Sequence, residues 1–180
     1  MPFSLISAMN FSSIKLLMLF CLSVVLLFSC ENKKIHSLED PRYVFDKNGR
    51  VWSYKKEAKP TFYQYNTLRA LKDMLYHTPM GKIDSIITNN PDWQFVFYCK
   101  CQIQDSLELI ELLNRRHCSF PVIIDSAATF LSKNGMQPYS EIGLFCDERG
   151  RKLGLYSSIG TDKSFFDIEF PKAKAMIRRR

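Results

Sequence analysis

A chain of 180 residues with 46% hydrophobic and 24% charged residues is long enough for one domain with a real core, and too apolar for wholesale disorder. The formal charge is +7; the first 29 residues contribute only Lys15 and no acid, which leaves +6 on the rest. The basic residues are dispersed apart from Arg178-Arg179-Arg180, read as a solvated terminus, and no interleaved basic and aromatic face or recognition motif argues for nucleic acid as a partner.

Leu16 to Phe28 is an apolar run preceded by Lys15 and followed by Ser29-Cys30. A spanning helix needs about 20 apolar residues, so this run has the proportions of a secretory h-region instead. Met9 is an alternative start, since Met9 to Lys15 makes a normal n-region. The ending Leu26-Leu27-Phe28-Ser29-Cys30 resembles the lipobox of bacterial lipoproteins at Leu27, Ser29 and Cys30, while Phe28 is bulkier than that pattern usually takes. The resemblance implies a signal peptide over residues 1–29, lipidation of Cys30 and a mature chain starting there. An ordinary signal peptide or an uncleaved anchor is the alternative. Several acyl chains hold a protein stably on a membrane, where one chain binds only marginally. Glu31-Asn32-Lys33-Lys34 lacks the acidic cluster that similar lipoproteins carry for surface display, which points to the outer membrane with the domain facing the periplasm. Export would permit disulfides among the remaining thiols.

Residues 30–42 read as a polar tether. Tyr43-Val44-Phe45 and Val51-Trp52-Ser53-Tyr54 flank Asn48-Gly49, a hairpin signal because both turn residues tolerate positive φ. Asn66 is placed to cap a helix with Leu68, Leu71 and Leu75 on one face, ending before Pro79 and Gly81. A second short helix around Ile83, Ile86 and Ile87 runs into Asn89-Asn90-Pro91. The hairpin and helices, residues 43–92, form an N-terminal extension in this reading. His36 and His77 have no ligand-spaced partner and read as surface residues, so no metal or other cofactor is assigned.

Trp93 to Cys101 is the most strand-like run of the chain, aromatic and β-branched throughout, and is expected to be buried on both faces. Asp105-Ser106-Leu107-Glu108 has capping-box spacing for a helix through Leu113 that closes on Arg115, Arg116 and His117, cations suited to its negative end. Phe120 to Asp125 is the next strand, followed by a short helix over 127–134 capped by Ser126 and stopped by Gly135. Strands Ile142–Cys146 and Leu153–Ile159 flank a tight turn at Asp147-Glu148-Arg149-Gly150. A last helix covers 165–177, with Pro171 opening its regular part or kinking it. The order from residue 93 is strand, helix, strand, helix, strand, strand, helix: a right-handed βαβ unit followed by an antiparallel hairpin, an α/β fold with a mixed sheet. The expected core includes Phe95, Val96, Phe97, Ile123, Leu144 and Phe145.

This order, with Phe120-Pro121-Val122-Ile123-Ile124-Asp125 and Phe145-Cys146-Asp147-Glu148-Arg149-Gly150, resembles the thioredoxin superfamily over residues 93–180, and in particular thioredoxin-like lipoproteins of the Bacteroidetes type. The family's redox site is Cys-x-x-Cys with its first thiol at a helix N-terminus, where the dipole stabilises a thiolate. Here the spacing is Cys99-x-Cys101. Pro138 lies near the loop that faces the family's active site but ahead of its usual place. In an alternative register the strand at 93–101 is the second of a longer domain, and residues 61–75, which hold no cysteine, stand where the family's active-site helix begins. Two functions remain open at this point. One is a non-catalytic binding or structural module with a protein partner in the cell envelope, in which Cys99 and Cys101 are core thiols. The other is a thiol–disulfide oxidoreductase or isomerase with Cys99 and Cys101 as its catalytic residues. Cys118 and Cys146 are expected at the opposite end of the sheet from that pair, with one strand between them.

Overall fold

The computed structural model describes residues 34–37, 44–51, 54–137, 141–156, 159 and 164–179. The lipobox and Cys30, most of the tether, Trp52 and Pro138 lie outside the described residues.

The fold is built around a strand that sequence reading did not find. β2 (Thr61–Thr67) is buried along its length and lies inside a six-stranded mixed sheet. Its neighbours are β3 (Gln94–Lys100), parallel, and β5 (Ile142–Cys146), antiparallel. Beyond β3 lie β4 (Val122–Ile124), parallel to it, and β1 (Val44–Phe45), antiparallel to β4; β6 (Lys152–Tyr156) flanks β5 on the other edge. Residues 43–92 are therefore no separate extension. They supply strands to the same sheet, and the alternative register is the one the chain adopts. Asn48-Gly49 does form a turn, with Gly49 at φ 70° and the Asp46 carboxylate accepting from the N–H groups of Asn48 and Arg50. Its first strand nevertheless pairs with β4, and among the described residues it meets the other side at the Phe45–Val51 bridge and through the Asp46 N–H, which donates to Arg50 O. The tether reading also needs correction at 34–37: Ile35 is buried and its N–H donates to the Gly150 carbonyl.

Side chains alternate across the sheet. Phe62, Phe97 and Cys99 face one side, with α1 (Leu68–His77), α2 (Met80–Thr88), α3 (Ser106–Arg115) and the C-terminal α5 (Phe170–Arg178) packed over them. Tyr63, Tyr65, Val96 and Tyr98 face the other side, covered by α4 (Thr129–Lys133), Ile35 and Tyr54. Burying a side chain of Leu or Phe size contributes roughly 1.5–3 kcal/mol. Of the expected core, Val96, Phe97, Ile123, Leu144 and Phe145 are buried and Phe95 half-buried. Among the described residues no helix is long and apolar enough to cross a membrane.

Two polar residues of β2 share the helix-covered face. Gln64 gives its amide N–H to Asn66 Oδ1 at 2.9 Å and takes the Ile159 N–H at 2.9 Å. Asn66 in turn points its amide at the Met74 sulfur. Each group is thereby paired inside the core, as buried amides must be.

Caps fall one residue or one turn from where spacing alone put them. Thr67, not Asn66, caps α1, its hydroxyl accepting from Ala70 N–H. A short 3-10 turn (Ile103–Asp105) precedes α3, so Gln102 is the cap and Asp105 reaches back to the Gln102 N–H. Asp125, not Ser126, starts α4 by accepting from Thr129 and Phe130 N–H, both at 2.8 Å. α3 closes on His117 at φ 53°, with Cys118 N–H bonded to Leu113 O and His117 N–H to Asn114 O, the arrangement glycine usually serves. Pro171 opens the regular part of α5. Lacking an N–H, it leaves the turn before it (Phe165–Glu169) wound as a π-helix.

The β5–β6 turn depends on Asp147, which is 1% exposed. Its carboxylate accepts from Arg149 N–H, Arg151 N–H and Arg151 Nε. Burial by itself would raise this carboxyl, but those donors and the guanidinium outweigh it and hold it below the usual carboxylate range. A group depressed in the folded state contributes stability above its unfolded value, about 3.9, and loses it as pH falls through the folded value. Asp147→Asn should cost about 1–3 kcal/mol at pH 7 and flatten the loss of stability below about pH 4, read from urea midpoints across pH. Gln64→Ala should cost about 2–4 kcal/mol at any pH, because it strands the Ile159 N–H and leaves a cavity.

Candidate functional site

The parallel strands β2, β3 and β4 all end on one edge of the sheet. Their register sets Asn66 beside Cys99, Thr67 beside Lys100, and Cys99 beside Ile124. Chain ends of parallel strands are where α/β sheets place their ligands, because the loops there open between helix and sheet.

α1 starts on this edge. The Thr67 hydroxyl accepts from Ala70 N–H at 3.2 Å and donates to Glu141 Oε1 at 2.9 Å. Glu141 directly precedes β5, so this one hydroxyl closes the helix start against the neighbouring strand. The residues that follow are Leu68, Arg69 and Ala70, with no acid in the first turn. α3 lies alongside, joined by the Lys72–Glu108 ion pair; its first turn exposes Leu107 (73%), and the 3-10 turn before it exposes Ile103 (42%).

Cys99 and Cys101, the sequence candidates, lie one strand over. Cys99 is fully buried and Cys101 is 7% exposed, and both belong to the core under the helices. The side chains hydrogen-bond to one another. That bond and burial raise the Cys99 thiol far above its ordinary range, while the proton Cys99 offers lowers Cys101. Behind them the Cys99 carbonyl accepts from Asp125 N–H at 3.0 Å, which ties the thiol strand to the cap of α4. The backbone that holds this pair is thus fixed from two sides.

Cys118 and Cys146 stand apart from the pair and from each other. Cys118 packs on the helix-covered face and Cys146 on the opposite one. Cys118 precedes β4 and Cys146 ends β5, and two strands, β3 and β2, separate β4 from β5, where the sequence reading had one. Burial pushes each of these thiols up to about 12. Among the described residues, no three His, Cys, Asp or Glu side chains converge to hold a metal ion.

Sequence reasoning missed Gln64, Thr67 and Glu141. The signal for β2 was there in Phe62, Tyr63 and Tyr65 between Thr61 and Thr67, but the interposed amides made the run look like a loop leading to a cap. Nothing local links Thr67 to Glu141, 74 positions away.

No family model matches the chain, and no curated protein matches it. Solved structures do. The chain is similar to a putative thiol:disulfide interchange protein DsbE from Chlorobium tepidum, at 13% identity and a TM-score of 0.59, over 82% of this chain and 97% of that one. It is also similar to a thiol-disulfide oxidoreductase from Bacteroides fragilis, at 8% identity and a TM-score of 0.51, over 80% and 99%. A putative protein disulfide isomerase from Bacteroides thetaiotaomicron aligns at 10% identity with a TM-score of 0.50, over 82% and 94%. At these identities the likeness is one of fold, and it agrees with the mixed sheet, the strand order and the helix that follows β2. The chain is a member of the thioredoxin-like fold.

Proposed function

We propose that the chain is a non-catalytic binding or structural module on a thioredoxin-like fold, held at the periplasmic side of the outer membrane by a lipidated Cys30 and engaging a protein partner of the cell envelope. One observation carries the non-catalytic part. The helix start after β2, where thioredoxin-like enzymes keep their thiol pair, is Thr67-Leu68-Arg69-Ala70, and its dipole is met by a hydroxyl cap in place of a thiolate. The anchor rests on the resemblance of Leu27-Phe28-Ser29-Cys30 to a lipobox. The exposed Leu107 and Ile103 beside the capped helix supply apolar surface for a partner.

The other reading, an oxidoreductase or isomerase using Cys99 and Cys101, is favoured by their mutual hydrogen bond and the lowered Cys101 thiol. Insulin reduction and refolding of a scrambled disulfide substrate by the purified protein separate the two. The non-catalytic module gives background rates that neither Cys99→Ser nor Cys101→Ser changes; activity lost in both variants establishes the enzyme.

Timed alkylation of the native protein, mapped by mass spectrometry, should modify Cys101 first among residues 34–180. Cys118 and Cys146, buried and titrating at about 12, should react only after unfolding. Metabolic labelling with a fatty acid should mark the wild-type chain and not Cys30→Ala; label retained by that variant refutes the anchor.

A further inference from the structure

At the opposite end of the sheet, β3 has a neighbour on only one side among the described residues. β2 runs beside all of Gln94–Lys100, but β4 joins only from Phe97, which pairs with Val122. The direction of each backbone group follows from two bonds. Gln94 N–H donates to Pro60 O on the β2 side at 2.9 Å, and Cys99 O accepts from Asp125 N–H on the β4 side at 3.0 Å. Strand alternation therefore turns the N–H and carbonyl of Phe95, like those of residues 97 and 99, toward β4.

The same register explains why the ladder stops there. Residue 125 donates to residue 99, so residue 123 faces the carbonyl of 97 and residue 121 faces that of 95. Residue 121 is proline and has no N–H to give. The Ser119 carbonyl, which the register would set against the Phe95 N–H, makes no bond to it, and the Ser119 hydroxyl is held by Asp84 in α2. No described group bonds to this side of the Phe95 backbone. An unpaired donor and acceptor inside a sheet cost free energy unless a ligand or water meets them.

A cavity of about 420 Å³ opens at this notch. It is lined from both faces of the sheet, by Trp93 and Phe120 on the helix side and by Val44, Val96 and Ile123 on the other. Tyr54 lines it as well, its hydroxyl buried near Ser37 and Tyr63 without a hydrogen bond of good geometry. The exposed rim carries one cation and one anion, Lys55 and Glu57, and so selects for neither charge.

We propose that the notch is a binding site for a short, extended, apolar peptide segment of a partner protein, whose backbone continues the ladder that Pro121 interrupts. One peptide carbonyl accepts the Phe95 N–H, the next peptide N–H but one donates to the Phe95 carbonyl, and an apolar side chain lies against the aromatic and aliphatic walls. A strand partner supplies this donor and acceptor at the spacing of the ladder, with side chains to both faces, which matches a cavity walled from both faces. The site does not depend on the non-catalytic reading, since it lies away from the thiols and from α1.

Amide hydrogen exchange on the purified chain tests it, with N-acetyl-Val-Leu-Val-amide as the probe at up to about 1 mM. In the free protein the Phe95 amide should exchange on the order of a hundredfold faster than those of Val96 and Tyr98. The peptide at ten times its dissociation constant should slow Phe95 by about tenfold and alter Trp93 emission along the same saturation curve. Ser119→Trp, at the exposed mouth, should abolish both effects, and Gln104→Ala, on the exposed 3-10 turn at the far edge, should leave them unchanged. The proposal is overturned if Phe95 is as protected as its neighbours without peptide, or if peptide leaves its exchange unchanged. It is equally overturned if the fully N-methylated peptide works as well, since the notch would then take any apolar body.

Discussion

A strand buried on both faces that carries glutamine and asparagine toward a helix-covered core can stay there only if those amides are paired. β2 is such a strand. Gln64 meets both requirements at once, giving a proton to Asn66 and taking one from the Ile159 N–H. An unpaired buried amide costs about 1–3 kcal/mol, comparable with what one buried aromatic contributes, so these bonds decide whether the central strand is worth burying. They also tie a segment after β6 to the middle of the sheet. Loop, strand and helix α1 are thereby held in one arrangement, and the helix start at Thr67 inherits its position from it.

Position and chemistry separate at that helix start. A helix N-terminus favours negative charge and lowers the pKa of a thiol placed there. In this chain the same field meets a hydroxyl that accepts from Ala70 N–H and donates to Glu141. An aliphatic hydroxyl is too weak an acid to ionise at neutral pH, so the cap stays neutral and keeps the proton it gives to Glu141. The thiols meanwhile lie one strand away, in the same buried core as Phe97 and Leu109. Fold similarity to oxidoreductases and a threonine at the start of α1 are therefore compatible, because a fold does not carry one chemistry with it.

From residue 94 onward the elements could be read from sequence, because their signals are local and consistent: β-branched and aromatic runs, Gly135 and Gly150 at positive φ, Pro171 at a helix start. β2 could not. Its alternation of Phe62, Gln64 and Asn66 breaks the apolar run that marks a buried strand, and the pairing that excuses those amides comes from residue 159. The caps show the same limit on a smaller scale. Asn66 and Thr67 are both good N-caps, as are Asp125 and Ser126, and only the sheet register decides which of each pair is turned toward the helix. At the candidate site the thiols were visible as a pair on a strand expected to be buried, and core thiols were one of the two readings left open; the structure buries both.

The two ends of the sheet end up with opposite characters for reasons that lie in single residues. At the end where the parallel strands finish, Thr67, Gln102 and Asp125 each satisfy helix N–H groups, and the Asp125 N–H carries the β3–β4 ladder one step past the last paired residue. Several backbone donors there are taken up by caps of the chain itself. At the other end a proline sits where the next ladder donor should be, and the sheet opens between β3 and β4. Replacing Pro121 with a residue that has an N–H would offer a donor to the Phe95 carbonyl only, and the Phe95 N–H would still find no acceptor among the described residues. Two independent features keep Phe95 unpaired. A gap maintained twice over, between strands that are otherwise in register, is a property of the fold and not slack in its packing.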